Sequence, residues 1–289
     1  MSETLIRHQT FEYKENEPFQ IYNVYGTTMT YDTLLAHWHS ELEVVYLAGH
    51  SRHYIDGHCI DGGPGDFIVT NCESVHKIEP QTTQEELDRV VAVVLLIHDQ
   101  FLIRNFPQFK SIYFTNDHLS AGVEITEIME KLSMYAEKKT HTGYDYLYVN
   151  GLILELLYHM CERGTASREA LADVNYDKNL ERIKGVLQYV ENHYRENITE
   201  AGIAEKFYFS PVYFSRYFKR CTGMTFIAYL TGYRLNKARR QLLYSEHSIL
   251  DIALENGFSD SRRLSLAFQK TYGCTPRQYK KDAKTGKLK

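Results

Sequence analysis

The sequence predicts an α+β protein. A β-barrel of short strands comes first, then a helical hairpin, then an all-α domain of two helix-turn-helix units joined by a linker helix. Three observations predict it. Apolar runs before residue 115 are short and bounded by Gly- and Asp-rich turns. The apolar spacing turns helical near Asp117. One residue pattern occurs around Ala204 and again around Ala253.

In the first part, Leu42–Leu47 is apolar apart from Glu43, Asp66–Thr70 is rich in β-formers, and Val90–Ile97 is continuously apolar. Asp56-Gly57 and Asp61-Gly62-Gly63-Pro64-Gly65 supply turns between them, the pattern of a sandwich or barrel. We place this domain at residues 1–115, with an N-terminal arm at about Arg7 to Pro18. Over 116–165, Ile125, Ile128, Met129, Leu132 and Tyr135 form one helical stripe, and Val149, Leu152, Ile153, Leu156, Leu157 and Met160 another. A break at Thr142-Gly143 makes them two arms of a hairpin, which covers the β domain and leaves room for a homodimer contact. Residues 166–177 are small and polar and read as a linker, and the helical domain occupies 178–289.

In that domain Thr199 caps a short helix carrying Ile203 and Ala204. Ser210 caps a second, with Pro211 in its first turn and Phe214 and Phe218 inward. Small Ala204 lets the two helices cross closely. The echo is Ile249, Ile252, Ala253, Gly257-Phe258, a cap at Ser259 or Asp260, then Leu264 and Phe268. The units fall at about 199–220 and 248–271. Phe226 to Leu243 reads as a helix between them, with Arg234, Lys237, Arg239 and Arg240 exposed. Such a helix spans roughly 27 Å, enough to hold two recognition helices about one DNA turn apart.

Charge divides the chain in the same place. From Tyr176 onward there are 21 Lys and Arg against 11 Asp and Glu, leaving 12 basic and 26 acidic residues in the remainder. A swing of this size marks one half as the partner of a polyanion. Five scattered cysteines with no Cys-x-x-Cys pair, and a polar Met1–Lys14, lead us to expect reduced thiols in a cytoplasmic protein. No window is long and apolar enough for a membrane span.

The stretch from about Lys184 to Lys281 resembles the DNA-binding domain of the AraC/XylS family of transcription regulators. The matching residues are Ile203-Ala204, Ser210-Pro211-x-Tyr213-Phe214-Ser215-Arg216-x-Phe218-Lys219, Thr222-Gly223 and Arg234-Leu235-x-x-Ala238. In the second unit they are Ile249-x-x-Ile252-Ala253-x-x-x-Gly257-Phe258-Ser259-Asp260, Phe268-x-Lys270 and Gly273-x-Thr275-Pro276-x-x-Tyr279. The resemblance implies a double-stranded DNA partner met in successive major grooves. It also implies base contacts from Val212, Ser215 and Arg216 of the first unit and Ser261, Arg262, Arg263 and Ser265 of the second. Each Arg has either a guanine edge or a phosphate as its target, while Lys219, Arg239, Arg240 and Lys270 read as phosphate anchors. Arg263 and Leu264 stand where the family has an aromatic pair, Leu266 where Arg is common, and Tyr208 where the turn has Gly or a small residue.

His37-x-His39-x-x-x-Glu43, Gly63-Pro64-Gly65-Asp66 and His76 are similar to the two motifs of cupins, β-barrels in which three His and a Glu hold a divalent metal. Asn71 and Cys72 replace prolines of the second motif. The reading first in order is a polar pocket for a small-molecule effector, with no obligatory cofactor. The alternatives are a sensing or structural divalent metal, a redox-responsive regulator, and last a metalloenzyme tethered to DNA; no other catalytic motif is present, so an enzyme is not expected. Tyr22, Tyr25, Tyr46 and Tyr54 suggest a sugar as effector, and His50, His53 and His58 read as exposed. The expectation is a dimeric, effector-controlled regulator, an activator more often than a repressor in this family, with RNA polymerase as partner in that case.

Overall fold

The computed structural model describes residues 18–26, 35–81, 83, 86, 88–167 and 174–284, of which 174–177, 283 and 284 by backbone alone. Apart from Pro18, the expected N-terminal arm lies outside the described residues.

Seven strands come first: β1 Phe19–Tyr25, β2 Leu42–Leu47, β3 Ser51–Ile55, β4 His58–Gly62, β5 Phe67–Thr70, β6 His76–Pro80 and β7 Val90–Ile97. They make two sheets, ordered β1-β7-β2-β5 and β4-β3-β6, with every pairing antiparallel. Val45, Leu47, Ile68, Val94 and Leu96 of the first sheet meet Ile55, Ile60 and Ile78 of the second in a shared core. The opposite face of the first sheet (Leu42, Val44, Phe67, Val69, Val93, Leu95, Ile97) packs on helices α2 Gly122–Glu137 and α3 Asp145–Arg163. Both faces of β7 are therefore covered, which is why its sequence is apolar without alternation. Among the described residues the expected barrel takes the form of two open sheets, one stacked on the other. The chain crosses between them at His37, whose backbone exchanges hydrogen bonds of 2.9 and 2.8 Å with His76.

Helix α1 Asp99–Asn105 and strand β8 Ile112–Phe114 follow the sheets; β8 pairs with β9 Thr165–Ser167 just after the hairpin. Helix α4 begins at Val174, so β9 and α4 both intrude into the stretch expected as a linker. Its small polar residues sit partly on β9, the outer strand of that two-stranded ribbon.

Six more helices complete the described chain: α5 Glu200–Lys206, α6 Pro211–Thr222, α7 Phe226–Tyr244, α8 Ile249–Glu255, α9 Ser261–Tyr272 and α10 Pro276–Lys284. The caps follow side-chain chemistry. Thr199 accepts from Gly202 N, Asp260 from Arg263 N, and Ser248 with Asp251 forms a reciprocal capping box. Each is worth about 1 kcal/mol. Ser210 departs from expectation: it occupies the N-cap of α6 but makes no side-chain cap bond.

Each helix pair has its own core. Ile203, Ala204, Phe214 and Phe218 close the first around Phe226, Tyr229 and Tyr233 of α7, with Ile183, Val186 and Val190 of α4 beneath. Ile252, Ala253, Leu264 and Phe268 close the second around Leu235, Ala238 and Leu242 of the same α7. The first core also takes in three residues of the β domain, Leu35, Ala36 and Val75.

The turns of the two pairs match in backbone and differ in residue. Gly257 has φ 78° and Tyr208, its counterpart, φ 59°. A Cβ at Gly257 would stand 2.6 Å from the Tyr194 carbonyl oxygen, whereas the Tyr208 side chain points into solvent. Gly257→Ala is accordingly expected to destabilise by more than the ~1–2 kcal/mol of a left-handed residue alone, and Tyr208→Gly to change stability by less than about 1 kcal/mol. Thermal unfolding of the two variants checks the contrast; equal losses would contradict it.

Candidate nucleic-acid interface and histidine cluster

The expected DNA-facing residues lie on the outer sides of α6 and α9, opposite the side chains that fill the cores. On α6, Val212, Arg216 and Lys219 are exposed and Ser215 is half-buried, while Phe214, Tyr217 and Phe218 face in. On α9, Arg262, Arg263 and Lys270 are exposed, Ser261 and Ser265 are half-buried, and Leu264 and Phe268 face in. Ser265 Oγ donates to the Ser261 carbonyl at 2.8 Å, which holds it against its own helix. Leu266 is exposed beside the arginines of α9 and adds an apolar spot to that face.

The basic residues of α7 behave differently from expectation. All four are half-buried. Arg234 donates from Nε to the Tyr194 carbonyl and from a terminal nitrogen to the Glu196 carbonyl, both at 2.7 Å. Lys237 lies over the Tyr233 ring and Arg239 over that of Tyr272. Arg234 is thus a structural clamp that ties the loop after α4 to the middle of α7. A basic residue at the seam of two helix pairs signals this use only once the seam is known.

The β domain brings His37, His39, Glu43 and His76 together, as the motif spacing implied. The three imidazoles offer nitrogens lying within 4.8 Å of one another, and two of the rings are fully buried. Glu43 Oε2 lies 3.1 Å from His39 Nε2 and 3.0 Å from His76 Nε2. Each imidazole places Nδ1 within 3.0–3.2 Å of a backbone carbonyl: Leu35 for His37, Glu41 for His39 and Ser74 for His76. A ring that donates from Nδ1 can offer Nε2 as a lone pair once the proton it gives to Glu43 is displaced, so three imidazole nitrogens and one carboxylate gather at one place.

Such a point is short of positive charge. Burial alone would raise the Glu43 carboxyl, but hydrogen bonds from His39 and His76 outweigh it and hold Glu43 well below the ordinary carboxylate range. Burial works to lower His76, and the bond to Glu43 overcomes it, raising the imidazole. Burial, reinforced by the charges of His76 and His39, keeps His37 well below its ordinary value. In the absence of a cation, protons shared within the cluster balance Glu43. The contact of His76 Nε2 with Glu43 is close, at 3.0 Å, but poorly aligned for a hydrogen bond. Three imidazoles and a carboxylate suit a divalent transition metal, which would supply the missing charge and satisfy that nitrogen.

One expectation about this region is corrected. His53, expected exposed, is buried with its Nε2 2.8 Å from Ser51 Oγ; the inward face of β3 places it there. Of the four tyrosines, Tyr25 donates to Glu137 and the Tyr54 ring packs against Gly223.

Burial pushes His53 down to about 4. The unfolded chain then binds the proton first, so stability is undiminished above pH 6.5 and falls as pH drops from ~6.5 toward 4, by at most about 1.4 kcal/mol per unit. His53→Asn should flatten the acid limb of a stability–pH curve measured by denaturant titration; an unchanged slope would remove His53 as its source.

A family model described as a helix-turn-helix domain matches residues 203–282. The chain is 22% identical over 240 residues to an uncharacterised HTH-type transcriptional regulator of Staphylococcus aureus strain COL, covering 82% of this chain and 31% of the relative. The chain thus spans about a third of the length of such relatives. It is 34% identical over 110 residues to the HTH-type transcriptional activator RhaS of Escherichia coli strain SE11, covering 38% of this chain and 40% of RhaS. Among solved structures, the C-terminal domain of AraT, a response regulator from Geobacillus stearothermophilus, is 36% identical with a TM-score of 0.34, covering 35% of this chain and 84% of that one.

Proposed function

We propose that the chain is a sequence-specific DNA-binding transcription regulator of the AraC/XylS family, a reading that its C-terminal helix-turn-helix region supports. One observation carries the reading. Two recognition helices stand on one shared α7, each with arginine exposed on the side away from its core. The basic C-terminal half supplies the long-range attraction to a polyanion, and the acidic β domain does not compete for it. Val212, Ser215 and Arg216 on α6, and Ser261, Arg262, Arg263 and Ser265 on α9, are the residues that reach the base edges; Lys219 and Lys270 meet phosphates.

The hairpin supports a homodimer. Besides the face of α3 that covers the sheet, a second stripe at Tyr144, Leu147, Gly151, Leu154 and Tyr158 is exposed. Its alternating three- and four-residue spacing is that of a coiled-coil seam, and a second copy of α3 complements it, with Gly151 permitting close approach. The regulator is read here as a cytoplasmic activator that works with RNA polymerase under control of a small ligand held by the β domain.

For that ligand, the compact donor set favours a divalent metal over a sugar. The three imidazoles offer nitrogens within 4.8 Å of one another, Glu43 reaches two of them, and the His76–Glu43 contact is poorly aligned. His37, His39, Glu43 and His76 would hold the ion, which would supply positive charge to a buried carboxylate and take the place of shared protons. Elemental analysis of purified protein checks this: about one transition-metal ion per chain, lost in His76→Ala, is expected, and a metal-free protein that tightens on DNA with a sugar would overturn it.

Arg216→Ala and Arg262→Ala should each weaken binding to selected DNA by about 1–3 kcal/mol, with discrimination relaxed at particular base pairs. Uniform loss over all sequences would make them phosphate contacts. Leu154→Lys should yield folded monomers in light scattering with far-ultraviolet circular dichroism unchanged; persistence of the dimer would place its interface elsewhere.

A further inference from the structure

The residues that form the histidine cluster and the residues that plug the first helix-turn-helix core alternate along the same two short segments. In the first segment Leu35 and Ala36 enter the core, His37 turns to the cluster, Trp38 packs on the core's edge, and His39 returns to the cluster. In the second, Val75 enters the core and His76 joins the cluster. The paired backbone bonds between His37 and His76 weld the segments side by side.

The docking is specific on the helical side. The Tyr229 hydroxyl donates to the Ala36 carbonyl at 3.3 Å. Gly232 of α7 lies under Leu35 so closely that an added Cβ would stand 3.1 Å from a Leu35 methyl carbon. Lys184 of α4 is buried with its ammonium 3.5 Å from Glu73 and 4.9 Å from the centre of the Trp38 ring. The Val75 amide donates to Asp56 at 2.8 Å, and the Tyr54 ring rests on Gly223, which caps the C-terminal end of α6. Among the described residues, the core of the second helix-turn-helix unit contains none of the β domain.

We propose that residues 35–38 and 73–76 form a latch that transmits occupancy of the His37/His39/Glu43/His76 cluster to the first reading head and leaves the second untouched. The physical reason is short range. Neighbouring residues joined by planar peptides cannot move independently, so drawing His37 and His76 toward an ion shifts Leu35, Ala36 and Val75 in a close-packed core. Those three touch the helices that seat α6. The ligand therefore adjusts half of a bipartite DNA interface, and the reciprocity of linkage lets matching DNA act back on the cluster. The latch deepens the metal reading given above but is testable apart from it.

Amide hydrogen exchange on the full chain provides that test. Glu43→Gln, which keeps the shape and removes the charge, should speed exchange across 183–190 and 226–233 tenfold or more while leaving 261–272 unchanged. Changes confined to the sheets, or spread equally into 261–272, overturn the latch. Zinc alone, added to the wild-type chain, should slow exchange in the same two stretches. Stoichiometric binding that leaves them unaltered overturns the latch, whereas absence of zinc binding together with the Glu43→Gln response sinks only the metal reading. In a third arm, zinc should alter affinity for a duplex selected from a random pool by about 5–150-fold. That factor should shrink toward one in Gly232→Ala, which lengthens the helix side of the latch, with zinc stoichiometry retained. An undiminished factor overturns the proposal.

Discussion

Helix α7 contributes Phe226, Tyr229, Leu230 and Tyr233 to one hydrophobic core and Leu235, Ala238 and Leu242 to another. A rod of 19 residues shared in this way leaves the two helix pairs no hinge, and their spacing and phase follow from its length and its twist of about 100° per residue. Arg234 stands at the changeover and spends its charge on two backbone carbonyls, so the loop after α4 cannot drift from the seam. Gly257 lies against one of those same carbonyls, which brings the second turn to the clamp as well. Everything the exposed faces of α6 and α9 offer to a duplex is offered at this fixed separation.

The β domain meets a different constraint. Burying Glu43 among imidazoles is costly unless its charge is balanced, and the fold balances it where the chain passes from one sheet to the other. A crossing point has backbone carbonyls left over from strand pairing. Three of them orient the histidine rings, so irregular backbone is used to aim side chains. The same irregularity frees the intervening residues to face outward, toward α4 and α7.

What was legible in the sequence was what has a period or a motif. The stripes of α2 and α3, the repeat around Ala204 and Ala253, and the apolar run of β7 all declare their partners' faces. The cluster was legible because His37, His39, Glu43 and His76 carry a known spacing. Burial of His53 was not, because alternation along β3 says which residues share a face and nothing about which face is inside. Half-burial of Arg234, Lys237, Arg239 and Arg240 was not legible either, because charge in a sequence reports sign and not direction. The docking of Leu35, Ala36 and Val75 into a core some 150 residues later left no local mark at all, since contacts between distant segments follow neither a helical nor a strand period.

The two turns record different histories of constraint. Gly257 is hemmed in by a carbonyl and an arginine, while Tyr208 holds the same left-handed bend with open solvent around its ring. The same asymmetry runs through the whole C-terminal half: the first core takes in residues of the β domain, and among the described residues the second is built from its own helix pair, α7 and α10. A substitution on the exposed face of α9 therefore leaves the packing of the β domain undisturbed. Variation in what the second pair presents to a duplex is least costly there, whereas variation in the first pair is felt by the β domain as well.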